Sequence, residues 1–381
     1  MILNIVILLQ SIYIASAIGL NLIPVSSSID SGNNFTSLPL DSLDYRQVHS
    51  VSNSPITDIK LISDYQLLSV TDAGIVQLTN ILTNESILLA SFNFACGKWR
   101  LQPLTTKLFL VISPDPGNIF CLNTEGLTLW NKQYETIGSV LTTSSNSIII
   151  SSTADPDSWD SKAQIHVLSV DGAEQAQINL DFPKFVSLAE IDDSILFWNT
   201  FYGPFVLDPK QDFEYTKWNI NWNSGISNPS IDRYGKLIGY TDSYRTIVLL
   251  EKGEHDPACY STSEYFNGII LERELGSSII SDGDNIIALY PSKVLILQED
   301  SVNLWDTFSL KEDIGFLKDL IVNMTTNTYL ILATKGVYLG PEQKQIFYFN
   351  DRLTTNYIID RMNSRVIAGT ELGNIILLNL S

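Results

Sequence analysis

A pair of short apolar segments joined by a tight turn recurs along almost the whole chain. In one copy, residues 66–70 (QLLSV) and 75–78 (IVQL) flank the turn 71–74 (TDAG). The starts of successive copies are 36 to 49 residues apart, which indicates a repeat architecture rather than a set of unrelated domains. The eight copies begin at Gln66, Leu108, Ser147, Ser194, Lys236, Asn285, Tyr329 and Arg365.

The length and the pattern of the repeat predict the blades of a β-propeller. One four-stranded blade uses roughly 40–50 residues, and blades that stack face to face bury both faces of each sheet. Strands buried on both faces have nearly continuous apolar sequences, as residues 148–150 (III) and 294–297 (VLIL) do. We therefore expect an all-β, eight-bladed β-propeller. Seven blades is the alternative, if two of the copies belong to one irregular blade.

Several copies are followed by a further strand of weaker apolar character, which we interpret as the outer strand of the blade. Three of these strands carry a tryptophan: Trp130, Trp218 and Trp305. We expect such a side chain to wedge against the neighbouring blade. The four segments are 86–92 (SILLASF), 127–133 (LTLWNKQ), 213–219 (FEYTKWN) and 302–308 (VNLWDTF).

The last copy ends at Ser381, directly after its third strand. A blade of three strands leaves an exposed edge that a fourth strand would cover. Residues 43–49 (LDYRQVH) have the composition of a strand and lie ahead of the first copy. We therefore predict that this N-terminal strand joins the last blade and closes the propeller.

The first 20 residues are almost entirely apolar and carry Ala15 and Ala17 in the A-x-A pattern of a cleavage site. We interpret residues 1–17 as a signal peptide, 18–42 as an irregular lead-in and 43–381 as a single β-propeller domain. No Lys or Arg precedes Arg46, and the segment also has the length of an uncleaved anchor. No later apolar run approaches about 18 residues. The sequence thus predicts an ER-lumenal or secreted protein with no membrane span after the leader.

The formal net charge of −19 restricts the partners that the chain can bind. A strongly negative surface repels polyanions, so nucleic acid and anionic headgroups are disfavoured as partners. The simplest interpretation of the charge is a solvated acidic surface. We therefore expect proteins as partners.

The chain contains three cysteines, too few for a disulfide-stapled scaffold. Cys96 and Cys121 are the nearest pair in sequence and are the candidates for one disulfide in an oxidising compartment. The alternative is that these two and Cys259 are buried free thiols.

Asparagine-linked glycosylation is permitted at several sequons. In a chain rich in Asn, Ser and Thr, a similar number arises by chance. The candidate sites are Asn34, Asn84 and Asn323, with a further sequon, Asn379, at the extreme end.

The search for a catalytic site finds no positive support. The chain has no Gly-x-Ser-x-Gly, no phosphate-binding glycine loop, no His-Glu-x-x-His and no Cys-x-x-Cys. A quinone-dependent dehydrogenase would commonly carry a vicinal cysteine pair, which is absent. A hydrolase with paired carboxylates stays open, because no pair stands out among 42 acidic residues. We predict no cofactor and no catalytic residue.

One acidic cluster and three histidines are the remaining candidates for chemistry. Carboxylates at Asp155, Asp157 and Asp160 offer oxygen ligands to Ca²⁺, but the segment lacks the glycine and distal glutamate of an EF-hand loop. A solvated acidic turn is therefore the favoured interpretation. The three histidines are His49 and His166, which lie in predicted strands and suggest packed or paired residues, and His255, which lies in a loop near Cys259 with nothing that enforces a nucleophile pair.

The chain resembles the quinoprotein (PQQ)-like eight-bladed propeller superfamily, whose repeats are similar to those of WD40 propellers. The resemblance rests on the blade length, on the closing strand and on two (Glu/Asp)-(Gly/Ser)-x-x-x-Trp endings, 124–130 (TEGLTLW) and 299–305 (EDSVNLW). Residues 44–47 (DYRQ) are similar to the opening strand of the N-terminal propeller of ER membrane protein complex subunit 1. That family implies a lumenal propeller within a membrane protein insertion complex, with ER membrane proteins among its partners. Its members are longer chains with further lumenal domains and a membrane anchor.

These observations predict a non-enzymatic propeller that serves as a protein-interaction scaffold of the secretory pathway. The alternative is a secreted propeller enzyme or glycan-binding protein with a site in the axial pocket. An apolar patch on the rim would favour the scaffold, and a pocket lined by converging acids and tryptophans would favour the alternative.

Overall fold

The computed structural model describes 32 strands and no helix. None of the described segments is a helix of the length and apolarity that a membrane span requires. Residues 1–42, with the leader, Ala17 and Asn34, lie outside the described residues, so the predictions made for them stay predictions. The structure describes residues 43–49, 54–94, 98–155, 158, 160–183, 186–191, 194–198, 204–209, 213–217, 227–231, 237–241, 246–250, 258–261, 278–281, 285–289, 293–298, 304–309, 317–323, 328–340, 343–348, 353–355, 357–360 and 365–380.

The strands form eight sheets of four strands each, numbered here in chain order. Sheet 1 contains β2 (Ile56–Ser63), β3 (Gln66–Thr71), β4 (Ile75–Asn80) and β5 (Glu85–Ser91). Sheet 2 contains β6 (Arg100–Pro103), β7 (Leu108–Ser113), β8 (Gly117–Asn123) and β9 (Thr128–Tyr134). Sheet 3 contains β10 (Thr136–Thr142), β11 (Ile148–Thr153), β12 (Lys162–Leu168) and β13 (Glu174–Pro183). Sheet 4 contains β14 (Ser187–Ile191), β15 (Ser194–Trp198), β16 (Phe205–Asp208) and β17 (Glu214–Lys217).

The remaining four sheets follow the same order of strands, except that the last one takes a strand from the N-terminal end. Sheet 5 contains β18 (Ser227–Ile231), β19 (Leu237–Thr241), β20 (Thr246–Leu250) and β21 (Ala258–Ser261). Sheet 6 contains β22 (Ser278–Ser281), β23 (Asn285–Leu289), β24 (Lys293–Gln298) and β25 (Leu304–Ser309). Sheet 7 contains β26 (Leu317–Asn323), β27 (Thr328–Ala333), β28 (Gly336–Gly340) and β29 (Lys344–Tyr348). Sheet 8 contains β30 (Ile358–Asp360), β31 (Arg365–Gly369), β32 (Asn374–Leu380) and β1 (Leu43–His49).

Each predicted pair of apolar segments is the second and third strand of one sheet, from β3 and β4 in sheet 1 to β31 and β32 in sheet 8. The four predicted outer segments correspond to β5, β9, β17 and β25. The prediction for residues 43–49 is also confirmed at the level of pairing, because β1 pairs with β32 in antiparallel register from Leu43 opposite Leu380 to His49 opposite Asn374.

The chain divides into two compact units, which are described separately. The smaller unit contains sheet 5 and sheet 6, apart from the last two residues of β25. In sheet 6, residues 286–288 of β23 and 294–297 of β24 are buried, so the two middle strands form its core. The larger unit, residues 30–218 with 308–381, contains sheets 1 to 4, 7 and 8.

In the larger unit, apolar clusters join sheet 7 to 8, 8 to 1, 1 to 2, 2 to 3 and 3 to 4. Consecutive side chains of a strand point to opposite faces, so a middle strand such as β3, β7 or β31 contributes to two clusters. Leu67 of β3 packs towards sheet 8, whereas its neighbour Leu68 packs towards sheet 2. Burial on both faces is the physical reason why the middle strands read as continuous apolar runs.

Polar bonds also join neighbouring sheets of the larger unit. Asp58 of β2 accepts a hydrogen bond from the Leu101 amide of β6 at 2.8 Å. Burial raises the pKa of Asp58, although Lys60 and backbone donors act in the opposite direction. Two further bonds of this kind join sheets 2 to 3, where Arg100 Nη1 donates to Gly138 O at 2.7 Å, and sheets 3 to 4, where Ser139 Oγ donates to Val186 O at 2.6 Å.

Candidate functional site

Four large aliphatic side chains are exposed on or beside the outer strands of sheets 1 and 2. Their exposed fractions are unusual for aliphatic side chains in β-strands, which normally pack against a neighbour. We call this group the rim patch. Its members and their exposed fractions are Ile87 (61%), Leu88 (57%), Leu127 (61%) and Leu129 (48%).

The two halves of the rim patch lie on neighbouring stretches of backbone. Gly126, which precedes Leu127, has a φ of +85°, and a Cβ atom there would lie 2.5 Å from the carbonyl oxygen of Leu89. Only glycine fits such a close approach between two backbones. The turn before β9 is therefore pressed against β5, and the exposed residues on either side of the contact share one surface.

A β-bulge interrupts each of the two outer strands within the rim patch. On β5, Leu89 is the extra residue between Leu88 and Ala90, which pair with consecutive residues of β4. On β9, Leu129 is the extra residue between Thr128 and Trp130, which pair with consecutive residues of β8. A bulge re-aims side chains and breaks the regular edge on which another strand could extend the sheet. The rim patch therefore offers side chains rather than an unbroken backbone edge.

Trp130, the residue after the bulge on β9, points in the opposite direction and anchors the rim. Its indole Nε1 donates to Val170 O in the next sheet at 2.8 Å. Gly172 lies directly beneath the ring, where a Cβ atom would come within 2.7 Å of the indole. The predicted wedge is thus confirmed for Trp130. Trp218 lies outside the described residues, and for Trp305 only the strand, β25, is described.

Sheet 3 contains a linear hydrogen-bonded group of three side chains that sequence reasoning missed. Ser152 Oγ lies 2.9 Å from His166 Nε2, and His166 Nδ1 lies 3.0 Å from Glu174 Oε1. The Tyr134 ring covers the imidazole at a centroid distance of 4.7 Å. Burial, with Glu174 as a second cause, raises the pKa of Tyr134.

The order Ser–His–Glu is that of a nucleophile, a base and an orienting acid, but a nucleophile must also reach its substrate. Ser152 is only 4% exposed and His166 only 6%, so substrate has no access to the hydroxyl in this arrangement. Ser152 and Glu174 instead provide hydrogen-bond partners for the two ring nitrogens of the buried His166, which is a structural role. The expectation of a packed or paired histidine is confirmed at His166.

The predicted metal candidates are not brought together by the described residues. Asp155 is exposed and belongs to a turn, where its carboxylate accepts from the Ser158 amide at 3.3 Å. Asp160 is also exposed, and Asp157 lies outside the described residues. Across the described part of the chain, no group of three His, Cys, Asp or Glu side chains could hold a metal ion. The Ca²⁺ hypothesis for this segment stays a prediction.

The remaining candidates occupy scattered positions. Cys121 is fully buried on β8, and burial raises the pKa of its thiol to about 11. Its proposed partner Cys96 lies outside the described residues, as does His255, and the Cys96–Cys121 disulfide stays a prediction. Asn84 is exposed in the turn before β5 with a φ of +62°, and Asn323 ends β26.

The comparisons with known proteins show the fold. No known protein family and no curated protein sequence matches the chain. Among solved structures, it is similar to the C-terminal WD40 domain of Sif2 (TM-score 0.61, 13% identity, covering 88% of this chain and 98% of that chain). It is also similar to the Dos1 propeller (TM-score 0.62, 8% identity, 88% and 95%). A third similar structure is virginiamycin B lyase from Staphylococcus aureus (TM-score 0.54, 10% identity, 89% and 100%). The chain therefore has a β-propeller fold.

Proposed function

We propose that this β-propeller is a non-enzymatic protein-interaction scaffold whose docking surface includes the rim patch. The observation that carries the proposal is the exposure of Ile87, Leu88, Leu127 and Leu129 on adjoining strands. A contiguous apolar surface costs solvation free energy in the free protein, so it is typical of a surface that a partner covers. A WD40 domain and a further propeller are among the similar structures, and a propeller fold is compatible with this role.

The finer features of the proposal rest on the sequence. They are an eight-bladed ring closed by β1, membership of the quinoprotein-like propellers, and a place in the ER lumen or outside the cell. Eight four-stranded sheets and the pairing of β1 with β32 support the first. The apolar segment with Ala15 and Ala17 supports entry into the secretory pathway. The resemblance of residues 44–47 to subunit 1 of the ER membrane protein complex makes ER membrane proteins the first partners to test.

The alternative is a secreted enzyme or glycan-binding protein. The Ser152–His166–Glu174 arrangement is the one observation in the described residues that favours an enzyme. The burial of Ser152 argues against it. We therefore keep the scaffold as the proposal.

The proposal is tested by recovering partners with and without the rim patch. The tagged chain is expressed in a eukaryotic host, membranes are solubilised gently, and co-purifying proteins are identified by mass spectrometry. The wild type is compared with Ile87→Ser/Leu129→Ser and with Leu372→Ser, which alters a residue of similar exposure (62%) outside the patch. None of these substitutions creates or removes a sequon.

We expect the wild type and Leu372→Ser to recover the same proteins in near-stoichiometric amounts and the double variant to lose them. Recovery of the same proteins by the double variant would remove the rim patch from the proposal. Recovery of the wild-type chain alone, from cells and medium, would overturn the scaffold function itself.

A further inference from the structure

A depression of about 410 Å³ lies at the end of sheet 1 where β3 turns into β4. The turn between β4 and β5 lies at the other end of β4. The depression therefore lies away from the start of β5, where the rim patch begins. Two phenylalanine rings, one carboxylate and two smaller polar side chains line it. The lining residues are Ser54, Asp72, Ala73, Phe92, Asn93 and Phe94.

The aromatic side of the depression is held in place by a buried tryptophan. Trp99, at 1% exposure, stacks on Phe92 at a centroid distance of 5.1 Å and an interplanar angle of 23°. The ring of Phe94 lies 5.0 Å from the same indole, and Phe120 lies 4.4 Å from Phe92. Ring pairs at these separations are attractive and restrict rotation. The two lining rings are therefore positioned before any ligand arrives.

The turn between β3 and β4 places the carboxylate beside these rings. The Asp72 amide donates to Pro55 O at 2.9 Å, and Phe92 N donates to Gly74 O at 3.1 Å, which ties the turn to the segment after β5. Gly74 has a φ of +72°, and a Cβ atom there would lie 3.0 Å from both Phe92 O and the Trp99 ring. Phe92 and Trp99 can therefore pack this closely against the turn only because residue 74 is a glycine.

The Asp72 carboxylate has no hydrogen-bond or ion-pair partner within the part of the chain that the structure describes. It is half-buried, as are Phe92 and Phe94. A partly desolvated carboxylate without a cation is poorly satisfied, and a cation that binds it would be attracted more strongly than at a fully exposed site. The faces of aromatic rings attract cations as well.

We propose that this depression binds a monovalent organic cation, a guanidinium or alkylammonium group, between the Phe92 and Phe94 rings and the Asp72 carboxylate. The carboxylate and both phenylalanine side chains line the same depression, whose volume of about 410 Å³ accommodates such a group. The net charge of −19 raises the local concentration of cations around it. The proposal does not depend on the rim patch or on the scaffold function. The same chemistry is offered by a basic side chain of a polypeptide and by a free amine.

The first test compares a cation with its neutral counterpart on the full chain. N-acetyl-arginine methylamide and N-acetyl-citrulline methylamide, which has nearly the same shape without the charge, are titrated by isothermal calorimetry at low ionic strength. We expect the arginine compound to bind at least about 10-fold more tightly, corresponding to about 1.4 kcal/mol. Equal affinities would overturn the proposal, because the depression would then be only apolar.

Variants then assign the charge to the named residues. We expect Asp72→Asn to weaken arginine binding about 10-fold and Phe94→Leu, which keeps apolar volume without the aromatic face, to weaken it about 3-fold. Glu85→Gln, an exposed acid on the outer strand of the same sheet, should change the affinity less than about 2-fold. An equal loss in Glu85→Gln and Asp72→Asn would overturn the site in favour of general electrostatic attraction. Asp72→Asn keeps the side-chain volume, so the test stands if Phe94→Leu fails to fold.

A final comparison identifies the source of the cation. The peptide Ac-Gly-Gly-Lys-Gly-Gly-amide is compared with butylamine, which carries the same single alkylammonium charge without a peptide backbone. Tighter binding of the peptide supports the site as one for a basic side chain of a polypeptide. Tighter binding of butylamine supports it as one for a free amine. Failure of both probes to bind would overturn the proposal, whatever the outcome at the rim patch.

Discussion

The outer strands of sheets 1 and 2 differ from those of sheets 3 and 4 in what they expose. All four strands occupy the same position in the repeat, at the end of a four-stranded sheet. In sheets 1 and 2 the outward side chains include the aliphatic residues of the rim patch. In sheets 3 and 4 the exposed side chains are polar or charged: Glu174, Gln175, Gln177, Asn179 and Asp181 on β13, and Glu214, Thr216 and Lys217 on β17.

This difference distinguishes positions whose residue type the fold dictates, in the buried middle strands, from positions where it does not, in the exposed outer strands. The middle strands pack between two sheets, so most of their buried side chains are apolar, as those of β3 and β7 are. An outer strand has one edge in solvent, and a polar outward face is the ordinary solution there. The aliphatic residues of the rim patch are therefore not explained by stability, which is why we assign them to binding.

The largest expected effect compares two neighbouring residues of β9. Trp130→Ala removes the indole that covers Gly172 and its bond to Val170 O, and should lower the free energy of unfolding by about 2–3 kcal/mol. Leu129→Ser should change it by less than about 0.5 kcal/mol, because the side chain is exposed. Chemical denaturation measures both. Similar losses for the two variants would show that Leu129 contributes to the core.

The second prediction concerns the exposed apolar surface, which is removed from sheets 1 and 2 in one variant and added to β13 of sheet 3 in another. The wild type should enhance the fluorescence of the neutral dye Nile red, and replacing all four residues of the rim patch by serine should remove roughly half of that signal. Placing leucine at Gln177 and Asn179 on β13 should raise the signal, because both positions are exposed. An unchanged signal in the serine variant would mean that another surface binds the dye.

A smaller effect is expected at two carboxylates that join neighbouring sheets, Asp58 between sheets 1 and 2 and Glu190 between sheets 3 and 4. Asp58 is buried and its pKa is raised, so the folded state binds a proton that the unfolded state has lost just above pH 3.8. Its contribution is therefore most favourable at low pH and declines as the pH rises through the raised pKa. The stability of Asp58→Asn relative to wild type should increase over that range.

Glu190, which accepts bonds from the Ser144 amide and hydroxyl between sheets 3 and 4, provides the comparison. Denaturation midpoints of wild type, Asp58→Asn and Glu190→Gln between pH 3.5 and about 7 would measure the difference. If Asp58→Asn loses stability relative to wild type as the pH rises, the buried carboxylate is stabilising and the assigned direction is wrong.

The smallest effect is expected for the buried triad-like group. A fluorophosphonate probe should leave Ser152 unlabelled in the folded protein, because the hydroxyl is 4% exposed. Intact-protein mass spectrometry detects one added phosphonyl group, and Ser152→Ala identifies its site. Stoichiometric labelling that disappears in Ser152→Ala would favour the enzyme alternative over the scaffold.

The sequence predicted those strands whose burial requires a continuous run of apolar residues, because such a run is visible without knowledge of the rest of the fold. Middle strands such as β7 and β23 must be apolar on both faces, so their positions are visible as continuous runs. The first strand of each sheet was not located individually, because β6 (RLQP) and β14 (SLAEI) are short and mix polar with apolar residues. The outer strand with Trp130 was recognised because a large aromatic side chain marks it.

The sites were less visible than the fold. The sequence marked residues 86–92 as an outer strand, but it did not show that Ile87 and Leu88 are exposed while Leu89, the extra residue of the bulge, packs against the core. Ser152, His166 and Glu174 come from three strands, and their alignment depends on the register of β11, β12 and β13, which no local spacing specifies. The depression beside Asp72 depends likewise on segments from two turns.

The pairing of β1 with β32 has a consequence for the synthesis of the chain. These partners lie near opposite ends of the sequence, so the ribosome completes β1 long before β32 exists. At about 5–20 residues per second, β1 spends tens of seconds with an uncovered backbone edge. A strand in that state is open to pairing with other chains and to holding by chaperones. Sheet 8 is therefore the last of the eight described sheets for which all four strands have been synthesised.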